Sequence, residues 1–163
     1  MLLALLSDTH DNTANTLAAL EMLRPHNPAV YLHAGDMVDP DMLDLFAGLP
    51  FHFVFGNNEY DHGQLRSGAA ALGLHCHGNF GDLTFDGKRI ALLHGHDGTM
   101  MNKLLHADKY DYVIHGHTHV RNDQRVGRTR VINPGAIHRA RVKSVALLEL
   151  SNDELRFLEL PGP

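Results

Sequence analysis

The sequence predicts an α/β fold, and three observations predict it. Short apolar runs alternate with helical stripes through the first half, the β-α-β-α-β rhythm of a sheet with crossover helices. Beyond residue 80 the rhythm changes to paired runs joined by turn residues, which read as hairpins. The apolar runs also end in loops that carry Asp, Asn or His, so one edge of the structure gathers polar side chains. A mixed sheet, or two packed sheets with helices outside, satisfies all three, and ligands in such folds collect at the carboxyl ends of the strands.

Taken in order, Leu2-Leu3-Ala4-Leu5-Leu6 is continuously apolar, as a buried strand is. The polar loop Ser7-Asp8-Thr9-His10-Asp11-Asn12 leads from it into a helix over 13–23, with Leu17, Leu20 and Leu23 as its stripe. Pro25 and Pro28 stop that helix, and residues 29–34 form a second strand running into Gly35-Asp36. Asp39 and Pro40 are the N-cap and first position of a helix that carries Met42, Leu43, Leu45 and Phe46 and ends at Gly48-Leu49-Pro50. Residues 51–55 are a third strand with Gly56-Asn57-Asn58-Glu59 as its exit; 64–72 is helical and 74–77 a short strand. A hairpin follows over 82–93, turning at Asp86-Gly87, the type I′ signal, and its second strand ends at His94-Gly95-His96-Asp97. Residues 100–106 form a helix, 112–114 a strand, 125–132 a hairpin around Gly127-Arg128, and 144–150 pairs with 155–160.

Composition bounds the function. At 163 residues with 44% apolar content, the chain suits a single domain, 1–163, with a full core. The apolar run at 2–6 is too short for a signal core or a membrane span and has no basic lead, so a cytoplasmic protein is expected. The lone cysteine, Cys76, can form neither an internal disulfide nor a thiolate cage, so any metal is held by nitrogen and oxygen. A net charge of −5 argues against a general nucleic-acid binder, although Arg121, Arg125, Arg128, Arg130, Arg139, Arg141 and Lys143 crowd one stretch. Those cations read first as solubilising strand and turn positions, and second as a patch for an anionic substrate or partner.

The departure from average is histidine, 14 in all, several of them beside Gly or Asp at the ends of apolar runs. Tyr112-Val113-Ile114 runs straight into His115-Gly116-His117-Thr118-His119, a strand ending in a metal-binding turn. The strand ends together offer Asp8, His10, Asp36, Asn57, His94, His117 and His119. Divalent ions of the Mn, Fe, Ni and Zn group accept this mixture of carboxylate, amide and imidazole, and a carboxylate bridges two ions roughly 3.5–4 Å apart. The set suits two sites: Asp8 and His10 can chelate from one loop, while Asp36, with no ligand neighbour, is placed to bridge.

In this order Asp-x-His, Gly-Asp, Gly-Asn, His-Gly-His and Gly-His-Thr-His resemble the calcineurin-like metallophosphoesterase superfamily. The Ser-Asp-Thr-His opening and the chain length resemble its small YfcE-type phosphodiesterases, relatives of Vps29. The resemblance runs from Ser7 through the Asn133-Pro134-Gly135 turn and implies a four-layer αββα sandwich of two mixed sheets flanked by helices. It implies that Asp8, His10 and His119 bind a first metal, Asn57, His94 and His117 a second, and Asp36 bridges them. The activity implied is hydrolysis of a small phosphate ester, a diester above all, by in-line attack of a metal-bridging hydroxide. The ions would be Mn, Ni, Fe or Zn.

One position departs from the wider superfamily, which follows the motif Asn with a His able to protonate the leaving group. Here it is Asn58, followed by the acid Glu59, which orients ligands; His96 and His62 are the alternative proton donors. Of the remaining histidines, His33 and His115 read as structural, and His52, His75 and His77 as solvent-facing strand positions. Two other functions fit the same motifs: a protein-interaction scaffold of the Vps29 kind and a phosphomonoesterase. The partner expected is a small-molecule ester, with no membrane or polymeric nucleic acid, and self-association is open by analogy with related small members.

Overall fold

In the computed structural model, which describes residues 1–162, two mixed sheets lie face to face between helices. The first runs β11 (Glu154–Glu159), β10 (Ser144–Glu149), β1 (Leu2–Leu6), β2 (Val30–His33), β3 (Phe51–Phe53), β4 (His75–Cys76). The second runs β5 (Phe80–Phe85), β6 (Lys88–Leu93), β7 (Tyr112–Ile114), β9 (Thr129–Asn133), β8 (Asn122–Val126). Within the first, β1 to β4 are parallel and β10 and β11 antiparallel; within the second, β6, β7 and β9 are parallel, flanked by antiparallel β5 and β8. This is the expected two-sheet α/β sandwich.

Three apolar layers hold the four structural layers together, and strand alternation decides which side chain enters which. Leu3 and Leu5 of β1 point between the sheets, against Ile90, Leu92, Ile114 and Ile132. Ala4 and Leu6 point the other way, into a layer with Phe51, Phe53 and Leu65 under helices α1 (Thr13–Leu23) and α2 (His62–Leu72). Ala91, Leu93 and Val113 form the third layer beneath α3 (Gly98–Leu105). In α1 the inward stripe is Thr16, Ala19, Leu20 and Leu23, the i, i+3, i+4, i+7 set, and Leu17 stands half exposed. Pro40–Phe46 is a 3-10 segment rather than an α-helix: Asp39 caps it as expected, but seven residues held between a proline and Gly48 wind in the tighter form. The hairpin at Asp86-Gly87 has φ of 49° and 73°, both positive as its type I′ signal requires.

Of His52, His75 and His77, His75 is exposed as the solvent-facing reading expects, and the other two differ from it. His52 and His77 are half-buried; the His52 ring stacks 4.3 Å from His75 and 5.2 Å from His77, and Phe85 meets it edge-on at 5.5 Å. Alternation with Phe51 and Phe53 turns His52 toward the second sheet, where β5 covers it. Burial and the neighbouring imidazoles push its pKa down to about 4, and burial takes His33 down to about 3. An unfolded histidine titrates near 6.5, so between that pH and about 4 the unfolded chain takes up protons that the folded chain refuses. Stability is therefore expected to fall as pH drops through this window, by up to roughly 3 kcal/mol from each group. Urea unfolding of chelator-treated protein at neutral and acid pH measures it. His52→Phe should flatten the dependence, and an unchanged slope would show that the trio does not contribute.

Much of the basic stretch is neutralised within the fold. Arg130 forks onto Asp123 at 2.8 and 2.9 Å and reaches Asp153 at 2.8 Å, Arg125 also pairs with Asp153, and Arg128 with Asp111. Arg125 and Arg130 fasten β8 and β9 to the turn before β11, and Arg128 fastens their hairpin to Asp111 beside β7, which supports the solubilising reading for that half of the stretch. Among the described residues no helix is long and apolar enough to cross a membrane.

Candidate metal centre

The loops that leave β1, β2, β3, β6 and β7 at their carboxyl ends meet in one place. Backbone hydrogen bonds join them: Asp8 N–H donates to Gly35 O at 3.0 Å, His10 N–H to Asp36 O at 3.0 Å, and Gly116 N–H to His94 O at 3.0 Å. Asp8, His10, Asp36, His117 and His119 all take left-handed backbone conformations, with φ from 42° to 70°. Asp and His visit that region more readily than other side chains, and such strain persists only where surrounding contacts over-determine it. Val38, at φ 81°, shares the strain without a polar side chain to justify it. Val38→Asn is therefore expected to stabilise the fold by roughly 1 kcal/mol, read from urea unfolding. A loss instead would mean that its packing outweighs the strain.

Asp8, His10, Asp36 and His119 each place one donor atom within 4.8 Å of the others. His119 Nε2 lies 3.1 Å from Asp8 Oδ1, and His10 Nε2 lies 3.3 Å from His119 Nε2 and 3.6 Å from Asp36 Oδ2. The His119 Nδ1–H donates to the Arg139 carbonyl at 3.1 Å, so the Nε2 lone pair faces inward. On the far side of Asp36 the His94 Nδ1–H donates to Ala34 O at 2.8 Å, turning Nε2 to within 3.3 Å of Asp36 Oδ2. Asp8 Oδ1 and His94 Nε2 are buried with no hydrogen-bond partner, although buried polar atoms are nearly always partnered. Lone pairs crowded together out of water are satisfied by a shared cation, so these nitrogen and oxygen donors fit divalent metal.

The electrostatics are those of a cation site. Burial pushes Asp8 up, against the Ser7 hydroxyl that donates to its Oδ2 at 2.5 Å. Burial would also raise Asp36, but His94 and Asn58 outweigh it and hold that carboxyl well below the usual range. Burial lowers His10 to about 4, leaving its imidazole neutral and able to ligate at neutral pH. Burial disfavours charge on His94 too, yet Asp36 beside it lifts its proton affinity above the ordinary value.

The second expected set is more open. The His94 and His117 rings stand 5.2 Å apart, His117 and Asn57 are exposed, and His117 is not part of the tight cluster. Asn57 meets Asp36 through its backbone N–H, 3.0 Å from Oδ1. Asn58 is turned inward, its amide donating to Asp36 Oδ2 at 2.6 Å and its backbone N–H to Oδ1 at 3.1 Å. His96 stands at the mouth, exposed, 5.6 Å from the His94 ring and 6.2 Å from that of His117. Burial and those two imidazoles lower its proton affinity. His62 instead stacks on Phe55 at 4.0 Å.

Glu59 is buried and touches no ligand; its two oxygens accept the Met37 and Gly56 N–H groups, each at 2.7 Å. It ties the Asp36 loop to the Asn57 loop and is a positioning residue. Glu59→Gln turns an amide NH2 toward one of those donors, so metal affinity is expected to fall about 10–100-fold, measured by chelator competition. Wild-type affinity in that variant would remove the role. His33 acts similarly: it accepts the Gly35 N–H at Nδ1, 3.2 Å, and its Nε2 lies 3.4 Å from Thr9 Oγ1. His115 is buried, with its Nδ1–H on Gly116 O at 3.1 Å.

Sequence reasoning missed Ser7, Asn133 and Arg139 as supports. Asn133 donates to Gly116 O at 2.8 Å and to Thr118 Oγ1 at 3.1 Å, holding the histidine turn. Ser7 and Asn133 lie inside quoted motifs and were open to notice; a backbone carbonyl such as that of Arg139 leaves no trace in a sequence.

The family profile described as the calcineurin-like phosphoesterase superfamily domain matches residues 1–153. The chain belongs to that superfamily. A relative, Phosphodiesterase MJ0936 of Methanocaldococcus jannaschii, is 27% identical over 98% of this chain and 99% of its own. A solved structure of a novel archaeal phosphodiesterase superposes with a TM-score of 0.92 at 26% identity, over 98% of this chain and 100% of that one. YfcE, a phosphoesterase from E. coli, covers 99% of this chain and 100% of its own with a TM-score of 0.71 at 16% identity, and so shares the fold. The metallophosphoesterase fold is thus the αββα sandwich described above.

Proposed function

We propose that this metallophosphoesterase is a dinuclear phosphodiesterase acting as one domain. The observation that carries the reading is the pair of buried, partnerless donors, Asp8 Oδ1 and His94 Nε2, on either side of Asp36. Asp8, His10 and His119 would hold one ion, Asn57, His94 and His117 another, with Asp36 shared. Divalent ions there supply positive charge for the phosphoryl oxygens and lower the pKa of water toward neutrality.

The chain's own residues fix the rest. The Arg139 and Ala34 carbonyls select the tautomers of His119 and His94 that leave Nε2 free to ligate. Glu59 keeps the Asp36 and Asn57 loops in register. Asn58 carries no titratable proton and is engaged with Asp36, and His96 at the mouth holds its proton weakly. A leaving group therefore departs with little help, which favours diesters whose leaving groups are acidic. His96, at the mouth, is a side chain that could supply a proton. Manganese, nickel, iron and zinc all suit the donor set, and a cytoplasmic site of action accords with the single unpaired cysteine.

The test is hydrolysis of bis(p-nitrophenyl) phosphate and p-nitrophenyl phosphate by protein loaded separately with manganese, nickel and zinc. Faster turnover of the diester supports the reading, and preference for the monoester assigns a phosphomonoesterase. Metal binding without hydrolysis of either leaves a scaffold.

A further inference from the structure

The loop 134–143 between β9 and β10 brings to the rim of the metal centre cations that the fold does not neutralise. Arg139 and Arg141 are exposed and, among the described residues, have no ion-pair partner, unlike Arg125, Arg128 and Arg130. Beside them a groove of about 340 Å³ is lined by His119, Val120, Arg121, Arg141 and Val142. One wall is thus a candidate metal ligand. Val120 is 66% exposed and Val142 41%, two of the few large apolar side chains left in water. Arg121 is occupied, its guanidinium on Glu159 at 2.7 Å and over the Phe157 ring at 5.6 Å, so Arg141 is the uncommitted charge.

An apolar floor, a free guanidinium and continuity with a phosphate-handling centre define one kind of occupant. Resting on the phosphodiesterase reading, we propose that this groove is a substrate subsite for an ester group that carries its own negative charge beside a flat apolar body. A nucleotidyl group fits that description: the base lies on Val120 and Val142, and a phosphate separate from the scissile one meets Arg141. The volume sits at the lower end of the roughly 300–1,000 Å³ of small-molecule pockets, enough for one such group and not for a whole dinucleotide. The guanidinium suits phosphate because its planar fork matches two oxygens at once. Arg139, whose carbonyl holds His119, is a second exposed cation of the same loop.

Two measurements test the subsite and separate its failure from that of the enzyme reading. In the first, chelator-treated protein is titrated calorimetrically with adenosine 5′-monophosphate and with adenosine. The monophosphate should bind more tightly than adenosine, and Arg141→Gln should weaken it about tenfold while Arg141→Lys keeps part of the affinity. Equal affinity in wild type and Arg141→Gln, or no binding, overturns the subsite whatever the activity. In the second, manganese-loaded protein is assayed on the dinucleotides pApA and ApA, which differ by one terminal phosphate. Wild type should prefer pApA by about tenfold in kcat/KM, mainly through KM, and Arg141→Gln should bring the ratio near one. A ratio of one in wild type, or one unaltered by the substitution, overturns the proposal. Hydrolysis of neither dinucleotide by protein that turns over bis(p-nitrophenyl) phosphate overturns the subsite and keeps the phosphodiesterase reading, whereas hydrolysis of none of the three, with charge-dependent binding in the first measurement, removes the phosphodiesterase reading and keeps the site. Sedimentation closes the remaining route: a dimer that dissociates on Val120→Asp assigns the valines to a subunit contact and overturns the subsite.

Discussion

Asp36→Ala is expected to lower phosphodiesterase kcat/KM by more than about a hundredfold and to reduce the metal bound per chain. Residues that merely orient metal ligands cost about 10–100-fold when removed, and Asp36 is closer to the centre than any of those. Its Oδ2 lies 3.6 Å from His10 Nε2 and 3.3 Å from His94 Nε2, so it meets a member of each proposed donor set. Its oxygens also accept from the Asn57 and Asn58 backbone and from the Asn58 amide, at 3.0, 3.1 and 2.6 Å. Alanine leaves those donors without their acceptor, which destabilises the loop as well as the site. Asp36→Asn separates the two effects, because it keeps the shape and lacks the charge. Elemental analysis of metal content and unfolding midpoints should show the asparagine variant folded but metal-poor. Wild-type activity in Asp36→Ala would mean that no ion depends on Asp36.

Gly116→Ala is the second large effect expected, and its cause is space. A Cβ there would sit 1.8 Å from Ser7 Oγ and 2.7 Å from Asp8 Oδ2, inside van der Waals contact with one ligand and its support. The backbone cannot step back, because Gly116 N–H is bonded to His94 O at 3.0 Å and Gly116 O accepts from Asn133 at 2.8 Å. Overpacking of this kind costs about 1–3 kcal/mol, a fall of several degrees in Tm for a domain of this size. Because Asp8 is displaced, metal-dependent activity should fall further than stability does. Ser7→Ala removes the nearest atom, so the double variant should recover part of the loss, a non-additivity reserved for residues in contact. Simple addition of the two single effects would contradict the close approach, as would an undisturbed Gly116→Ala.

Much of the architecture was legible because local signals and the global fold agree. The Leu2–Leu6 run, the Asn12-capped helix after it, the Asp86-Gly87 turn and the β10–β11 hairpin all lie where periodicity and turn chemistry put them. Disagreements fall where a neighbour in space overrides a pattern in sequence. His52 alternates with phenylalanines like a solvent-facing residue, yet β5, distant in the chain, folds over it. Leu17 fits a helix stripe, but the sheet takes the face centred on Leu20 and Leu23.

For the centre itself, the sequence by itself determined the candidate donors: which carboxylates, amides and imidazoles end each apolar run, and that a chain with one cysteine offers chiefly nitrogen and oxygen. Ligand chemistry belongs to residue types, and residue types are what a sequence states. The tertiary structure decided where those candidates stand. It drew Asp8, His10, Asp36 and His119 into a tight group, left Asn57 and His117 at the rim, and turned Asn58 onto Asp36. It also set apart Arg141, free beside two valines, from Arg130, spent on two aspartates. Those outcomes depend on distances between loops more than a hundred residues apart, such as the 3.3 Å from His10 to His119, and only the folded sheets fix such distances.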